Sequence, residues 1–434
     1  PISSGNQLAA AVRARGYFPI AVRSEVEFSP RLEAGFKPND FSPANIFNIR
    51  EQDYASILKS LQARDIALVL PGSEMGVPLA YQLAQDLKRE SNPTETIQLH
   101  RDKFSAQSAL WANGLPHIPS ALATSEKGLG PWLGINGGFE KLGKLVVKPR
   151  DSHGGDLVQV VASEDELRVA IKNILTTKNA SNRLNNAVLV QQFISGEEYA
   201  VNGAVTTING RLYIRITDVW RYNKSINEAG YPQYGYEELL AWEEIPEPVL
   251  KLLPKILKAL QFRVGAFHSE IKVTPEGGAV MIETAARLYG AGNTRIAGAA
   301  TDYSQINATL DSYLNTAGFL RKAEKPYRRN SLALVYNINT PPSEKPLMAR
   351  DASMSAVRKR LRRPWFRSDL FHLVPFYKDG QRLDPTNSLL STFGEIEILI
   401  PDDKKGAGRD RCRKALEYLF DLERSGHFWV PASK

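Results

Sequence analysis

Cysteine is almost missing from this sequence, which contains only Cys412 among 434 residues. A single thiol excludes an internal disulfide and a cysteine-based zinc site, and it fits a reducing compartment. The six histidines are scattered and show no metal-ligand spacing. No apolar run approaches the length of a membrane span, and no signal peptide is visible. We therefore expect a cytoplasmic protein without a membrane partner.

Two common phosphate-binding motifs are also missing. Neither GxxxxGK[ST] nor GxGxxG occurs, which excludes a Walker loop and the dinucleotide fingerprint. The net charge of +8 is a mild excess for this length and suits an anionic small molecule as well as nucleic acid. The densest basic run, residues 358–367, contains aromatic side chains that could contact RNA, but no RNA-binding motif accompanies it. We interpret it as a solvated surface and expect no nucleic-acid partner.

The first part of the chain alternates helical and strand patterns. SSGNQLAAAVRARGY and VPLAYQLAQDLKRE favour helices, whereas FPIAVRS and DIALVLPGSE favour strands. This alternation predicts a parallel, doubly wound α/β unit. Ligands bind such sheets at the carboxyl ends of the strands, so Ser73 and Glu74 are expected at a ligand edge. Beyond residue 93 short strands and few helices predict α+β subdomains, and the length allows two to four domains in total.

A glycine-containing turn interrupts the segment KLVVKPRDSHGGDLVQVV. The strand that ends near Lys148 leads to Ser152, His153, Gly154 and Gly155, and a second strand follows. Glycines let backbone N–H groups approach an anion, and a lysine at the strand end supplies a point charge for a phosphate. By itself this pattern is also that of an ordinary hairpin turn.

A second segment, VLVQQFISGEEYAVNG, is a buried strand that runs into Ser-Gly and two glutamates. Exposed backbone between two domains can pair with the edge of an adenine, and a nearby carboxylate can hold ribose hydroxyls. An ordinary strand and turn with solvated glutamates would give the same pattern.

The third segment, HSEIKVTPEGGAVMIETAAR, reads as a hairpin around a Pro-Gly-Gly turn. Symmetric folding pairs Glu270 with Glu283 and puts Ile271, Val273, Val280 and Ile282 on the other, apolar face. Two opposed carboxylates repel each other unless a cation or water lies between them. Mg²⁺ takes one or two carboxylates plus substrate phosphates, so this pair is a candidate metal site. An exposed hairpin face with fortuitous register is the alternative.

The order of these three segments resembles the ATP-grasp family over roughly residues 1–310. PGSEMGVPLA, RDKF, DVWRYNK, FHSEIK and IETAARLYGAG resemble most the L-amino acid ligases, which are dipeptide synthetases of the tabtoxin, rhizocticin and bacilysin type. The resemblance implies a Rossmann-like domain followed by an ATP-grasp fold. The expected division is 1–98 Rossmann-like, 99–142 connecting and helical, 143–206 small lid subdomain, 207–327 large subdomain with the metal hairpin, and 328–434 C-terminal α+β subdomain.

The resemblance also implies roles for individual residues. Nucleotide contacts would fall to Lys103, Lys148, Ser152, His153, Gly154, Gly155, Gln191, Gln192, Phe193, Ile194 and Glu198. Glu270 and Glu283 would bind Mg²⁺ or Mn²⁺, although Ala285 stands where many members have a third ligand, asparagine. Arg287 would bind substrate and stabilise the oxyanion.

Other residues near these segments are candidates for the amino acid substrates. His268 is expected either to orient or deprotonate the attacking amine, or to be a core-edge histidine. The candidates for the amino acid pockets are Ser73, Glu74, Trp220 and Arg221, and Trp220 could equally belong to the core.

The implied function is an ATP-dependent ligase that joins two L-amino acids through an acyl phosphate and releases ADP and phosphate. ATP, Mg²⁺ and amino acids are the expected small-molecule partners, and a homodimer is possible. The alternatives are another ATP-grasp reaction, such as carboxylation or ligation of a non-amino-acid carboxylate to an amine, a regulatory protein that binds nucleotide without catalysis, and an RNA-binding protein that uses residues 358–367.

Overall fold

The computed structural model describes residues 3–24, 33, 35–150, 152, 154–180, 182–290, 293–350, 371–401 and 407–432. His153 and the basic run 358–367 lie outside these described residues. Within them, no helix is long and apolar enough to cross a membrane.

Helices and strands follow one another along the described chain. The α-helices are α1 (Leu8–Arg13), α2 (Tyr54–Gln62), α3 (Val77–Asp86), α4 (Ile97–Arg101), α5 (Lys103–Ala112), α6 (Gly130–Ile135), α7 (Gly138–Leu142), α8 (Glu164–Thr176), α9 (Glu247–Ala259), α10 (Asn293–Ala300), α11 (Gln305–Leu314), α12 (Thr316–Lys322) and α13 (Ala407–Arg424). The strands are β1 (Ala21–Arg23), β2 (Ile46–Asn48), β3 (Ser120–Ala123), β4 (Leu145–Pro149), β5 (Gln159–Val161), β6 (Val188–Gln192), β7 (Glu197–Ile208), β8 (Arg211–Ile226), β9 (Pro232–Leu239), β10 (Gly265–Val273), β11 (Ala279–Ala285), β12 (Ser331–Ile338), β13 (Leu347–Ala349), β14 (Phe371–Pro375), β15 (Arg382–Leu383), β16 (Gly394–Pro401) and β17 (Trp429–Pro431).

The N-terminal unit contains a parallel pair, β1 and β2, with helices α2 and α3 packed beside it. The expected strand over DIALVLPGSE is not found. Residues 65–74 pair with no other strand in the described chain. Ile66 to Leu70 instead line a cavity together with residues of β1. The apolar run correctly indicated partial burial, but strand pairing requires a neighbour at hydrogen-bonding distance, which a run of residues does not reveal.

A four-stranded antiparallel sheet with the order β3-β6-β4-β5 forms the smaller of the two central layers. Helix α8 covers it and begins at Ser163, whose side chain accepts a hydrogen bond from the backbone N–H of Glu166. The buried side of α8 (Leu167, Ala170, Ile171) packs on the apolar residues of β4 and β6. This sheet begins at β3, upstream of the expected boundary at residue 143.

The larger layer is an eight-stranded sheet with the order β11-β10-β7-β8-β9-β12-β16-β14. Helix α9 is strongly amphipathic and buries its apolar side, including Val249, Leu253 and Ile256, against β10 and β11. Strands β12, β14 and β16 extend this same sheet, so the expected C-terminal subdomain shares a layer with the expected large subdomain. Likewise β7 belongs to the large sheet throughout, on both sides of the expected boundary at residue 206.

The β10–β11 hairpin pairs Glu270 with Glu283, but through a different register from a symmetric fold. Near the turn, Val273 pairs with Ala279 and Ile271 with Met281. A β-bulge between residues 270 and 271 inserts one extra residue, which restores the pairing of the two glutamates. The expected apolar face is therefore wrong in part. Met281 packs in the core beside Ile271, while Ile282 lines the cavity with Glu283.

Gly196, directly before β7, lies where another residue would not fit. Its φ is +127°, and an added Cβ would lie 2.0 Å from the carbonyl oxygen of Val273. We expect Gly196→Ala to lower the free energy of unfolding by about 2 kcal/mol or more, because it adds a backbone clash to the φ penalty. Urea denaturation monitored by fluorescence measures this.

Gly277 provides the control, since its φ is +83° but an added Cβ meets nothing within 4 Å. Gly277→Ala should lower the free energy of unfolding by only about 1 kcal/mol. Equal losses in the two variants would contradict the clash at Gly196.

Candidate active site

A cavity of about 700 Å³ lies between the small sheet and the large sheet. Its lining draws on β4 and β6 on one side and on β7 to β11 on the other. The structure brings most of the expected site residues to it, namely Ser73, Glu74, Lys103, Lys148, Ser152, Gly154, Gly155, Gln191, Gln192, Phe193, Ile194, Glu198, His268, Glu270, Glu283 and Arg287.

Two lysines face this cavity, Lys148 buried and Lys103 partly buried. Lys103 is the first residue of α5, which Asp102 caps by accepting a hydrogen bond from the N–H of Ser105. The Nζ of Lys103 lies 3.1 Å from Oε2 of Glu283. Lys148 in β4 forms no ion pair within the described residues, and burial, reinforced by the charge of Lys103, lowers its pKa to about 8. A lysine with this pKa is mostly protonated at neutral pH and becomes mostly neutral once the pH exceeds the pKa.

The glycine turn after Lys148 lies against the C-terminal part of the chain. Gly154 and Gly155 have φ values of +67° and +71°. The carbonyl of Gly154 accepts a hydrogen bond of 3.1 Å from the backbone N–H of Leu389, and an added Cβ on Gly154 would lie 3.0 Å from Leu390. Glycine is therefore favoured at both positions by the positive φ, and at Gly154 also by the close approach of Leu390. The Ser152 carbonyl accepts a 3.4 Å hydrogen bond from Lys103, which ties the turn to α5.

Glu270 and Glu283 both face the cavity from adjacent strands. Burial opposes the charge on Glu270, but Lys224, His268 and Lys103 together hold the pKa of its carboxyl well below the ordinary value. Within the described residues, no group of three or more His, Cys, Asp or Glu side chains could hold a metal ion by itself. Ala285 is buried opposite His268 and supplies no ligand. Two carboxylates nevertheless fit Mg²⁺ when phosphate oxygens complete its shell.

Arg287 follows β11 and is held by a second buried carboxylate. Its Nε donates to Oε2 of Glu74 at 2.7 Å, and its Nη1 donates to the carbonyl of Leu288 at 2.9 Å. Arg101 binds the other oxygen of Glu74 at 2.8 Å. Burial opposes the charge on Glu74, but the two arginines lower its pKa to about 2. Glu74 therefore stays ionised and orients the Arg287 guanidinium towards the cavity.

The backbone segment that is expected to contact adenine lies between the two sheets and lines the cavity. The side chains of Gln191 and Gln192 are used within the protein, as donors to Ser120 Oγ at 2.9 Å and to the Leu142 carbonyl at 3.2 Å. The Phe193 N–H donates to the Lys144 carbonyl at 2.9 Å. These bonds fix the linker, so any role of the two glutamines towards a nucleotide falls to the backbone.

Glu198, the expected ribose ligand, lies between two lysines. Lys224 of β8 forms a short ion pair with it, and the Nζ of Lys272 lies 3.8 Å away. Lys272 also donates to the carbonyl of Ile194 at 2.9 Å and lies over the Phe193 ring. Sequence reasoning missed both lysines. Lys272 could have been found by strand alternation, since it lies two residues after Glu270 on the same side of β10.

His268 is buried in β10 and has three aromatic or polar neighbours. Its Nδ1 lies 2.8 Å from Oδ1 of Asn202, and its Nε2 lies 3.7 Å from Oε1 of Glu270. The ring stacks on Tyr289 with centroids 4.7 Å apart. Its hydrogen-bond partner is thus a side chain and not the backbone.

The structure does not bring Trp220 and Arg221 to the cavity, which corrects their expected role in the amino acid pockets. Trp220 is fully buried in the core, and its Nε1 donates to Asp218 at 2.8 Å. Arg221 points to the other face of β8, where it is exposed and pairs with Glu238 at 2.7 Å. The cavity on this part of β8 receives Tyr222 and Lys224 instead. Residues of this segment thus line the cavity, but not the two residues that were expected.

Comparisons with known proteins agree with this arrangement. Residues 143–295 match the ATP-grasp domain family. Dapdiamide A synthase of Enterobacter agglomerans is 29% identical over 406 residues, which cover 92% of this chain and 90% of that protein. An L-amino acid ligase from Bacillus licheniformis has the same fold, with a TM-score of 0.70, 17% identity and coverage of 100% and 97% of the two chains. Carboxyaminoimidazole ribonucleotide synthase from Aspergillus clavatus, solved with ATP, has a TM-score of 0.64 and 13% identity, with coverage of 97% of this chain and 96% of that chain.

The chain therefore contains an ATP-grasp domain, and the resemblance drawn from the three sequence segments is confirmed. Within that class, it is similar along nearly its whole length to a synthase and to an L-amino acid ligase.

Because Lys148 is expected to contact a nucleotide phosphate, its lowered pKa predicts a pH-dependent affinity for nucleotide. A phosphate binds the protonated lysine more strongly, and the free protein loses this proton as the pH rises through about 8. We expect the affinity for ADP to fall above pH 8, by up to about tenfold per pH unit. Titration calorimetry from pH 7 to 10 measures it. Lys148→Arg stays protonated throughout and should remove this slope, whereas the same slope in both proteins would contradict the assignment.

Proposed function

We propose that this chain is an ATP-dependent ligase that joins two L-amino acids through an acyl phosphate and releases ADP and phosphate. The observation that carries the proposal is the convergence, in one cavity, of Glu270 and Glu283 with Lys103, Lys148 and Arg287. Such a set neutralises a polyphosphate and a charged transition state, which is the main requirement of phosphoryl transfer. The comparisons support an enzyme that forms carbon–nitrogen bonds.

Each group of side chains has a separate task in this proposal. Lys103 and Lys148 bind the nucleotide phosphates, and the turn at Gly154 and Gly155 covers them with backbone N–H groups. Glu270 and Glu283 would hold Mg²⁺, which supplies charge neutralisation between the phosphates when it is bound. Lys103 would then exchange its present partner, Glu283, for a phosphate.

The acyl transfer step depends on Arg287 and His268. A substrate carboxylate attacks the γ-phosphate, and the amine of the second amino acid then attacks the acyl carbon and displaces phosphate. Arg287, oriented by Glu74, stabilises the negative charge that develops on the acyl oxygen. His268 lies beside Glu270 and orients the attacking amine. The enclosure between the two sheets protects the acyl phosphate from water.

The proposed function is tested by phosphate release from ATP with pairs of amino acids. We expect release that needs two amino acids and yields a dipeptide detectable by mass spectrometry, because the acyl phosphate needs an amine to react with. Phosphate release with bicarbonate alone would favour carboxylation, to which the fold neighbour that makes carboxyaminoimidazole ribonucleotide points. Without any release under either condition, the proposal fails.

The metal assignment predicts the effect of removing one carboxylate. Glu283→Gln should lower kcat by on the order of a hundredfold or more, because the amide cannot neutralise a divalent cation. The matched control is Glu276→Gln, which changes the same residue type in the exposed turn of the same hairpin. Steady-state phosphate release at several Mg²⁺ concentrations measures both. Full activity in Glu283→Gln would show that the metal is held elsewhere.

A further inference from the structure

Glu237 of β9 is a buried carboxylate of the cavity that the proposed steps do not use. Its side chain is 4% exposed and lines the cavity. It accepts hydrogen bonds from the hydroxyl of Tyr289 and from the side-chain amide of Asn293. Both donors are neutral, and within the described residues no cationic side chain forms an ion pair with Glu237. The positive charge of Lys224 favours the ionised form of Glu237, but it acts without a direct ion pair. Glu237 therefore presents a carboxylate whose hydrogen-bond donors are both neutral.

Another buried carboxylate on the same sheet shows the contrast. Glu397 of β16 is 3% exposed, does not line the cavity, and forms an ion pair with Arg295. Burial raises the pKa of Glu237 despite the bonds from Tyr289 and Asn293. A buried carboxylate of this kind is stabilised strongly by a cation that arrives with good geometry. The cavity is the route by which such a cation can reach it.

Two further polar residues lie at the same end of the cavity. Asn337 of β12 and Glu395 of β16 are cross-strand partners, and both are buried and line the cavity. The Nδ2 of Asn337 lies close enough to favour the charged form of Glu237, yet forms no hydrogen bond of normal geometry within the described residues. Carboxylates beside one unused amide donor suit a ligand that carries an ammonium group next to an oxygen atom.

This end of the cavity adjoins the centre where phosphate chemistry is proposed. The ring of Tyr289 binds Glu237 through its hydroxyl and stacks on His268, whose Nε2 lies 3.7 Å from Glu270. Tyr289 also follows Arg287 by two residues. One aromatic ring thus separates Glu237 from the metal hairpin, so a small molecule anchored at Glu237 can place its other end near Arg287.

We propose that Glu237 binds the ammonium group of the amino acid whose carboxylate is phosphorylated, and that it selects amino acids over acids that lack this group. The inference rests on the proposed ligase function and adds a specificity-determining residue to it. The contact is a non-covalent ion pair between the Glu237 carboxylate and the substrate ammonium group.

The neighbouring residue, Glu238, supplies a matched control. It lies one position further along β9, on the opposite face, where it pairs with Arg221 and does not line the cavity. Glu237→Gln and Glu238→Gln therefore make the same chemical change on the same strand, once inside and once outside the proposed subsite.

The experiment isolates the first half-reaction by replacing the second amino acid with hydroxylamine. Hydroxylamine attacks the acyl phosphate, so that a hydroxamate forms and phosphate leaves. For each protein, kcat and KM are measured with the preferred amino acid and with its 2-hydroxy acid analogue. In Glu237→Gln we expect the amino acid KM to rise about 10- to 100-fold and the preference for the amino acid to fall at least tenfold. The KM for ATP should be unchanged, and Glu238→Gln should match the wild type.

The outcomes separate this inference from the ligase proposal. If the wild type forms hydroxamate and Glu237→Gln keeps both the KM and the preference, the ammonium subsite is wrong and the ligase proposal stands. A wild type that activates no amino acid overturns both. Glu237→Asp keeps the charge and should keep the preference with a raised KM, which carries the test if Glu237→Gln does not fold. If Glu237→Asp loses the preference for the amino acid over its 2-hydroxy acid analogue but still binds ADP as the wild type does, the inference is wrong.

Discussion

The repulsion between Glu270 and Glu283 is the constraint on which the site depends. Two carboxylates paired across a hairpin destabilise it unless cations lie nearby. In the structure Lys103 contacts Glu283, and Lys224, His268 and Lys103 hold Glu270 in its charged form. The site is thus a balanced set of buried charges. A nucleotide with its metal ion adds charges of both signs, so that the lysines and carboxylates can change partners without leaving one of them unpaired.

The charged residues of the site are distributed over the two sheets. The small sheet carries Lys148 and the glycine turn, and the large sheet carries the carboxylates and the arginine that follows them. Contacts across the cavity hold the two together, such as the bond between Leu389 and Gly154, and the bond from the Val160 N–H to the Gly230 carbonyl. The walls of the cavity therefore come from different layers of the fold.

We expect the part of the cavity away from Glu270 and Glu283 to select the carboxylic acid that is phosphorylated. Similar folds serve a carboxyaminoimidazole ribonucleotide synthase and an L-amino acid ligase, so the fold does not by itself select a substrate. In this chain the part of the cavity beyond Tyr289 is lined by Glu237, Asn337 and Glu395. In the proposed subsite, the carboxylate of Glu237 would favour a substrate with an ammonium group over a bicarbonate ion.

Sequence patterns predicted the helices and strands with strong periodicity, because spacing and residue type fix local geometry within a short segment. The order of three segments resembled the ATP-grasp family. The pairing of Glu270 with Glu283 was also predicted, although the structure reaches it through a bulge. Tertiary structure alone decided the rest. The bulge beside Glu270 moved Met281 into the core, the alternation of β8 took Arg221 out of the cavity, and β9 and β12 brought Glu237 and Asn337 together. Contacts between distant segments depend on strand order and register, and a single sequence carries no local signal for either.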